Sequence, residues 1–221
     1  MLLRALLAEN VSVDFVVMAF LSSFMVVFLC MPFTDFICAH IAVKLGDYTP
    51  RYNGRLTLNP LAHIDPIGAT MMMLFGFGFG KGALYNPYNF KNPRKGILII
   101  SLAGPLSLLV LGLLFCILFK VVCLFVTFET TFLLFLAEVL RMIVYLSVSL
   151  AVFRLIPIPP MDGGVILFHF LPDRFSYAIR PYERYLPFVL LAVIYSGALD
   201  YPLYYARMFF LNLFDLITFW I

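Results

Sequence analysis

Few ionisable groups lie within apolar sequence in this chain of 221 residues, and two of them flank a proline-rich break. Arg154 precedes the break, and a charge in apolar sequence normally pairs with an opposite charge or snorkels to the membrane surface. Asp162 follows the break in the sequence Pro-Pro-Met-Asp-Gly-Gly, where an aspartate could cap the next helix. Because transport pathways usually contain several intramembrane ionisable groups, so small a number argues against a channel or transporter.

The cysteines give no sign of a covalent or metal-bound framework. All four lie inside apolar stretches, and none has a partner at C-x-x-C spacing: they are Cys30, Cys38, Cys116 and Cys123. This pattern predicts neither a disulfide framework nor a cysteine zinc knuckle.

The composition assigns the chain to a broad class. Apolar residues make up 63% of it and charged residues 12%, whereas an ordinary soluble domain is about a quarter charged. This excludes a soluble globule, a disordered tail and a nucleic-acid binder, and it predicts an integral membrane protein. Since one helical span needs about 20 apolar residues, we expect a single all-α membrane domain over residues 1–221, with five to six transmembrane helices.

The pattern along the chain places these spans. Apolar runs predict spans at residues 13–33, 97–119, 131–153, 185–196 and 201–220, with helical character continuing from the first run to Gly46. Residues 48–68 are rich in Pro, Asn and Gly, and their short alternating stretch at 55–58 predicts an extended or hairpin segment. Residues 69–79 are too short to span and predict a re-entrant or tilted helix.

Three separated patches together resemble the site-2 protease family of intramembrane zinc metalloproteases, in its small bacterial form. The first patch is K-L-G-D at residues 44–47, followed by G-R-L-T-L-N-P-L-A-H-I-D-P-I-G at 54–68. The second covers residues 86–96 and leads into A-G-P-L-S at 103–107. The third is L-I-P-I-P-P-M-D-G-G at 155–164. The patches occur in the family's order and at its spacing.

The resemblance implies where the family's zinc chemistry would lie. The family uses an H-E-x-x-H helix, in which two histidines bind zinc and the glutamate is the general base, and a distant aspartate supplies the third ligand. The histidine positions fall here on Thr34 and Cys38, the general base on Asp35, and the third ligand on Asp162. Both histidines are therefore missing, and the base is a carboxylate one methylene shorter.

Two further polar positions differ from the family. Leu108 and Arg154 stand where the family usually has asparagines that are thought to orient the substrate. The resemblance would place Arg154 near the old metal site, so we expect it to form an ion pair with Asp162 or Asp35 rather than to snorkel. His63 matches the family's loop pattern, and we interpret it as a hydrogen-bonded scaffold residue.

The remaining donors form a weak metal site. Cys38 and Asp162 could each bind zinc, but the Thr34 hydroxyl stays protonated at neutral pH and is a poor third ligand. Cys38 could equally be a small buried apolar residue, and Asp162 a helix cap. We therefore expect no cofactor, with zinc as the alternative.

The expected function follows from these departures. The sequence favours a proteolytically inactive homologue in the bacterial cytoplasmic membrane that holds a transmembrane or membrane-proximal peptide, by strand addition near residues 55–58. The alternative is an active intramembrane metalloendopeptidase with atypical ligands. The expected partners are the lipid bilayer and a transmembrane peptide segment or membrane protein, with no nucleic acid.

Overall fold

The computed structural model describes residues 13–75, 81, 84–125, 131–159, 161–172, 174 and 180–220. In chain order the helices are α1 (Val13–Lys44), α2 (Thr49–Tyr52), α3 (Pro60–His63), α4 (Pro66–Phe75), α5 (Pro93–Phe125), α6 (Thr131–Arg154), α7 (Asp162–Phe170), α8 (Leu186–Tyr195) and α9 (Asp200–Ile217). Short 3₁₀ turns lie at Pro87–Asn89 and Arg180–Tyr185.

Three of these helices are long and apolar enough to cross a membrane within the described part of the chain. They are α1 with 32 residues, α5 with 33 and α6 with 24. Along α5, the exposed side chains Leu106, Val110, Leu114 and Leu118 recur every four residues and form an apolar outer stripe. An apolar stripe on the outside of an apolar helix faces lipid, so the chain is a membrane protein.

Helix α1 runs further than a single apolar span because it accommodates Pro32. Proline has no N–H and its ring clashes with the carbonyl four residues earlier. The turn before it, Val26–Cys30, is a π-helix, and the Met31 N–H bonds back to the Val26 carbonyl. This wider turn absorbs the proline, so the helix continues to Lys44.

The core lies between α1, α5 and α6. Val26 and Cys30 of α1 pack with Leu108 of α5 and with Ile143 and Leu150 of α6. A second cluster joins α9 to α5 and α6 through Phe214, which packs among Cys116, Val144 and Val148. These three long helices therefore form the frame that positions the polar residues.

Two sequence expectations differ from the structure. Residues 55–58 form loop without strand pairing, so the predicted hairpin is not found there. The expected spans at 185–196 and 201–220 correspond to α8, of 10 residues, and α9, of 18 residues, and neither is among the helices long and apolar enough to cross. The predicted short helix after residue 64 is found as α4, and residues 76–79 lie outside the described part.

Candidate functional site

The candidate site surrounds one stretch of α5, residues 100–107. Ile100 and Ser107 face α1, and Gly104 between them faces Arg154 and Asp162. A Cβ built on Gly104 would lie 2.7 Å from Arg154 Nη2 and 3.2 Å from Asp162 Oδ2. Glycine at this position therefore makes room for a charged pair against the helix.

Arg154 and Asp162 form that pair. Arg154 is the last residue of α6 and Asp162 the first of α7, and Arg154 Nε donates to Asp162 Oδ2 over 2.6 Å. The two side chains are 27% and 22% exposed, so the pair is largely withdrawn from solvent. The expected ion pair is confirmed, and Arg154 does not snorkel. Met161 is the N-cap residue of α7, so Asp162 is not the cap.

Two glycines allow the close backbone packing that brings Arg154 and Asp162 together. A Cβ on Gly163 would collide with the Leu155 carbonyl oxygen, and a Cβ on Gly164 would collide with the backbone nitrogen of Pro159. The first turn of α7 thus packs directly on the proline-rich break after α6. This close approach of backbone to backbone brings Asp162 back to Arg154.

Thr34 and Cys38 lie one turn apart on α1 and both contact α5. The Ser107 hydroxyl lies 3.1 Å from the Thr34 hydroxyl and 2.8 Å from the Gly104 carbonyl oxygen. Cys38 Sγ lies 3.9 Å from the Ile100 carbonyl oxygen, and its side chain packs in an apolar cluster with Ala42 and Phe90. The segment around 34–38 and the start of α7 therefore meet at the same stretch of α5.

Asp35 faces a histidine that the sequence did not place beside it. Asp35 Oδ2 lies 3.9 Å from His63 Nδ1, and both side chains are buried. His63 Nε2 lies 2.8 Å from the Thr57 carbonyl oxygen, which can only accept, so Nε2 carries a proton. Neither Asp35 Oδ2 nor His63 Nδ1 has a hydrogen-bond partner among the described residues. His63 thus anchors the loop before α3 against α1.

Leu108 lies at the apolar edge of the site. Its side chain is fully buried in the cluster formed by α1, α5 and α6. It therefore supplies packing, with no polar group that could orient a substrate. Of the other two histidines, His40 stacks on Phe36, and His169 meets Phe170 edge to face.

Asp47 is a polar anchor whose role was not predicted from the sequence. Its buried carboxylate accepts hydrogen bonds from the Thr49 and Asn86 backbone N–H groups and from the Asn89 side chain, and so ties the end of α1 to the 3₁₀ turn before α5. Burial acts to raise the pKa of Asp47, but these hydrogen bonds outweigh it and hold the pKa below its usual value. An aspartate closing K-L-G-D could have suggested such a capping role.

The donor set does not fit a zinc ion. The Thr34 hydroxyl is bonded to Ser107, and one Asp162 oxygen is bonded to Arg154. Within the described ranges, no group of three His, Cys, Asp or Glu side chains is placed to hold a metal. A cationic guanidinium beside the remaining carboxylate also opposes a second cation at the same place.

Comparisons with known proteins give the family. The chain is 32% identical over 187 residues to "Putative zinc metalloprotease YwhC" of Bacillus subtilis, covering 83% of this chain and 85% of that protein. It is 28% identical over 172 residues to "Putative zinc metalloprotease Rip2" of Mycolicibacterium smegmatis, covering 75% of this chain and 63% of that protein. No family model matches, and no solved structure gives a significant match. With these relatives and the three motif patches arranged around α5, the chain belongs to the site-2 protease family of intramembrane zinc metalloproteases.

Proposed function

We propose that this chain is a proteolytically inactive member of the family that binds transmembrane or membrane-proximal peptide segments. It acts as a multi-pass protein of the bacterial cytoplasmic membrane, with five to six spans. One observation carries the proposal. Arg154 Nε lies 2.6 Å from Asp162 Oδ2, so a guanidinium takes the carboxylate that corresponds to the family's third zinc ligand.

The chemistry of the guanidinium supports inactivity. Arginine stays protonated in proteins and carries N–H donors but no acceptor. It can neutralise a carboxylate as a metal ion does, yet it has no vacant orbital with which to bind and activate water. With Thr34 and Cys38 at the two histidine positions, Asp35 has no metal-bound water to deprotonate. The alternative is an active metalloendopeptidase with atypical ligands, and the names of the two relatives favour it.

The surface formed by the loop before α3, α3 and the start of α4 supports peptide binding. Leu58, Leu61 and Ile67 are 59%, 72% and 69% exposed, although each is a large apolar side chain. Arg55 donates to the Ala62 carbonyl oxygen, so the loop that presents these residues is fixed to itself. Clustered exposed apolar side chains are typical of interaction surfaces. Residues 55–58 form no strand, so these exposed side chains, and not strand addition, hold the peptide.

Metal analysis tests the inactive state. We expect purified wild-type protein to contain far less than one zinc per chain. A variant carrying Thr34→His, Asp35→Glu, Cys38→His and Arg154→Asn restores the family's donors and should gain stoichiometric zinc. Stoichiometric zinc in the wild type, with chelator-sensitive cleavage of a transmembrane peptide that Asp162→Ala abolishes, would establish the active alternative instead. The wild-type measurement decides even if the restored variant fails to fold.

Peptide binding is tested on the protein in nanodiscs. The protein carries a donor fluorophore, and an apolar transmembrane peptide that carries an acceptor fluorophore is titrated into it. Energy transfer between the two fluorophores reports binding. We expect the triple variant Leu58→Ser, Leu61→Ser, Ile67→Ser to weaken binding at least severalfold. Tyr88→Ser is the matched control, because Tyr88 is 86% exposed on a different turn. Equal binding by the triple variant and the control would count against this surface.

A further inference from the structure

Arg207 is a cation that the proposed function does not use. It lies in α9, and its guanidinium carbon is 4.4 Å from the centre of the Tyr145 ring on α6 and 5.7 Å from that of Tyr204. Its Nε atom is buried and has no hydrogen-bond partner among the described residues. Among the described residues, no carboxylate lies within ion-pair distance of the Arg207 guanidinium. A charge in such a setting normally has a partner.

A cavity of about 540 Å³ opens beside this guanidinium. Its volume lies in the usual range for small-molecule sites, roughly 300–1,000 Å³. The described residues that line it belong to the first half of α9: Asp200, Tyr201, Leu203, Tyr204, Tyr205 and Arg207. Among the described residues, the lining of the cavity therefore combines one cation, one carboxylate and three phenol rings.

The helix places the two charges at opposite ends of one groove. Asp200 and Arg207 are seven residues apart, which is about two turns, so they share a face and lie roughly 10 Å apart along the axis. Arg207 reaches back over Tyr204, three residues earlier, and so points towards Asp200. The groove thus offers a positive site and a negative site about two helical turns apart.

We propose that this cavity binds the headgroup of a membrane phospholipid that carries both a phosphate and a primary ammonium group, such as phosphatidylethanolamine. The guanidinium presents several N–H donors in a fork that matches phosphate oxygens. The Asp200 carboxylate accepts from the ammonium, which also lies favourably over tyrosine rings. Tyrosines at the start of α9, with the exposed Trp220 beyond its other end, are typical of helix ends at the membrane–water interface, where such headgroups lie.

Lipid titration tests this site on the full-length protein in detergent. Short-chain phosphatidylethanolamine, phosphatidylglycerol and phosphatidylcholine are added separately, and the thermal midpoint and native mass spectra report binding. We expect wild-type protein to bind the ethanolamine lipid most tightly. Arg207→Gln should weaken its binding roughly tenfold or more, as expected when a charge-assisted contact is lost. Asp200→Asn should weaken binding of the ethanolamine lipid and leave that of the glycerol lipid unchanged.

Arg141→Gln is the matched control, because Arg141 is an exposed arginine on α6 that pairs with Glu138. It should bind all three lipids as the wild type does, and Arg207→Lys, which keeps the charge, should retain part of the affinity. Wild-type protein that binds the three lipids equally, or that prefers the glycerol or choline lipid, would overturn the proposal without any variant. Binding by Arg207→Gln equal to that of the control would overturn it as well.

Discussion

At the scale of single residues, the Arg154–Asp162 pair decides the chemistry of the site. Removing one partner of a buried ion pair costs about 3–5 kcal/mol because the other charge is left unpaired. Since both side chains keep about a quarter of their area exposed, we expect Arg154→Ala to cost less, about 1–3 kcal/mol. Arg154→Lys keeps the charge and should cost less still. Thermal unfolding in detergent measures both.

A matched control isolates the pair. Arg141 also lies on α6 and lies 2.6 Å from Glu138, but that pair is exposed. An exposed pair contributes about 0–1 kcal/mol, so Arg141→Ala should be nearly neutral. If Arg154→Ala were as stable as Arg141→Ala, the Arg154–Asp162 contact would not stabilise the fold.

Gly104 should be coupled to the same pair. In Gly104→Ala the new methyl group lies 2.7 Å from Arg154 Nη2, so the guanidinium must shift beside Asp162. We expect a loss of about 1 kcal/mol in unfolding free energy, at the low end of overpacking costs because the end of a flexible side chain can shift. In the Arg154→Ala background the same change should cost much less, because the guanidinium is gone and only Asp162 Oδ2, at 3.2 Å, remains close to the new methyl group. A double-mutant cycle measures this coupling, and additive effects would contradict it.

At the scale of elements, Asp47 joins α1 to the turn that starts α5. Because its pKa is lowered in the folded protein, the stability that it contributes is fully present above its unfolded pKa, about 4. That stability is lost as the pH falls through the lower folded pKa. We therefore expect the wild-type melting temperature to fall below about pH 4 more steeply than that of Asp47→Asn.

The same change should also show at neutral pH. Asp47→Asn has one acceptor oxygen fewer, so it should be less stable by about 1–2 kcal/mol at pH 7. Asp14→Asn, which alters an exposed carboxylate at the start of α1, serves as the control for general charge effects. A pH profile of Asp47→Asn parallel to the wild type would show that Asp47 does not carry this dependence.

Apolar runs predicted the long helices well, and local polar contacts explain where prediction failed. Residues 55–58 alternate as a strand does, but in the fold Arg55 bonds the Ala62 carbonyl and the Thr57 carbonyl lies against His63. Loop contacts thus satisfy groups that a strand would offer to a ladder, and period-2 patterning over four residues is too short to exclude this. The expected helical continuation to Gly46 ends close to that residue, at Lys44, because the π-turn before Pro32 lets α1 continue.

At the scale of the whole molecule, chain order predicted more of the site than residue type did. The Arg154–Asp162 pair followed from the order of the family motifs, although the family has no arginine there. The contact between Asp35 and His63 could not be predicted from chain order. It depends on how α3 and the loop before it fold back on α1, and no periodic pattern encodes that path. Burial then leaves Asp35 Oδ2 and His63 Nδ1 facing each other, and neither atom has a hydrogen-bond partner among the described residues.

Helix α9 is attached to α5 and α6 by a buried aromatic side chain and an ion pair. Phe214 is 4% exposed and packs between α5 and α6. Lys120 on α5 also forms an ion pair with Asp215 on α9, in which Nζ lies 3.2 Å from Oδ1. Phe214→Ala leaves a cavity between three helices and should cost about 3–5 kcal/mol in unfolding free energy. Phe209→Ala is the matched control, since Phe209 lies on the same helix but is 62% exposed. Equal thermal midpoints for the two variants in detergent would mean that α9 does not pack on α5 and α6 as the structure has it.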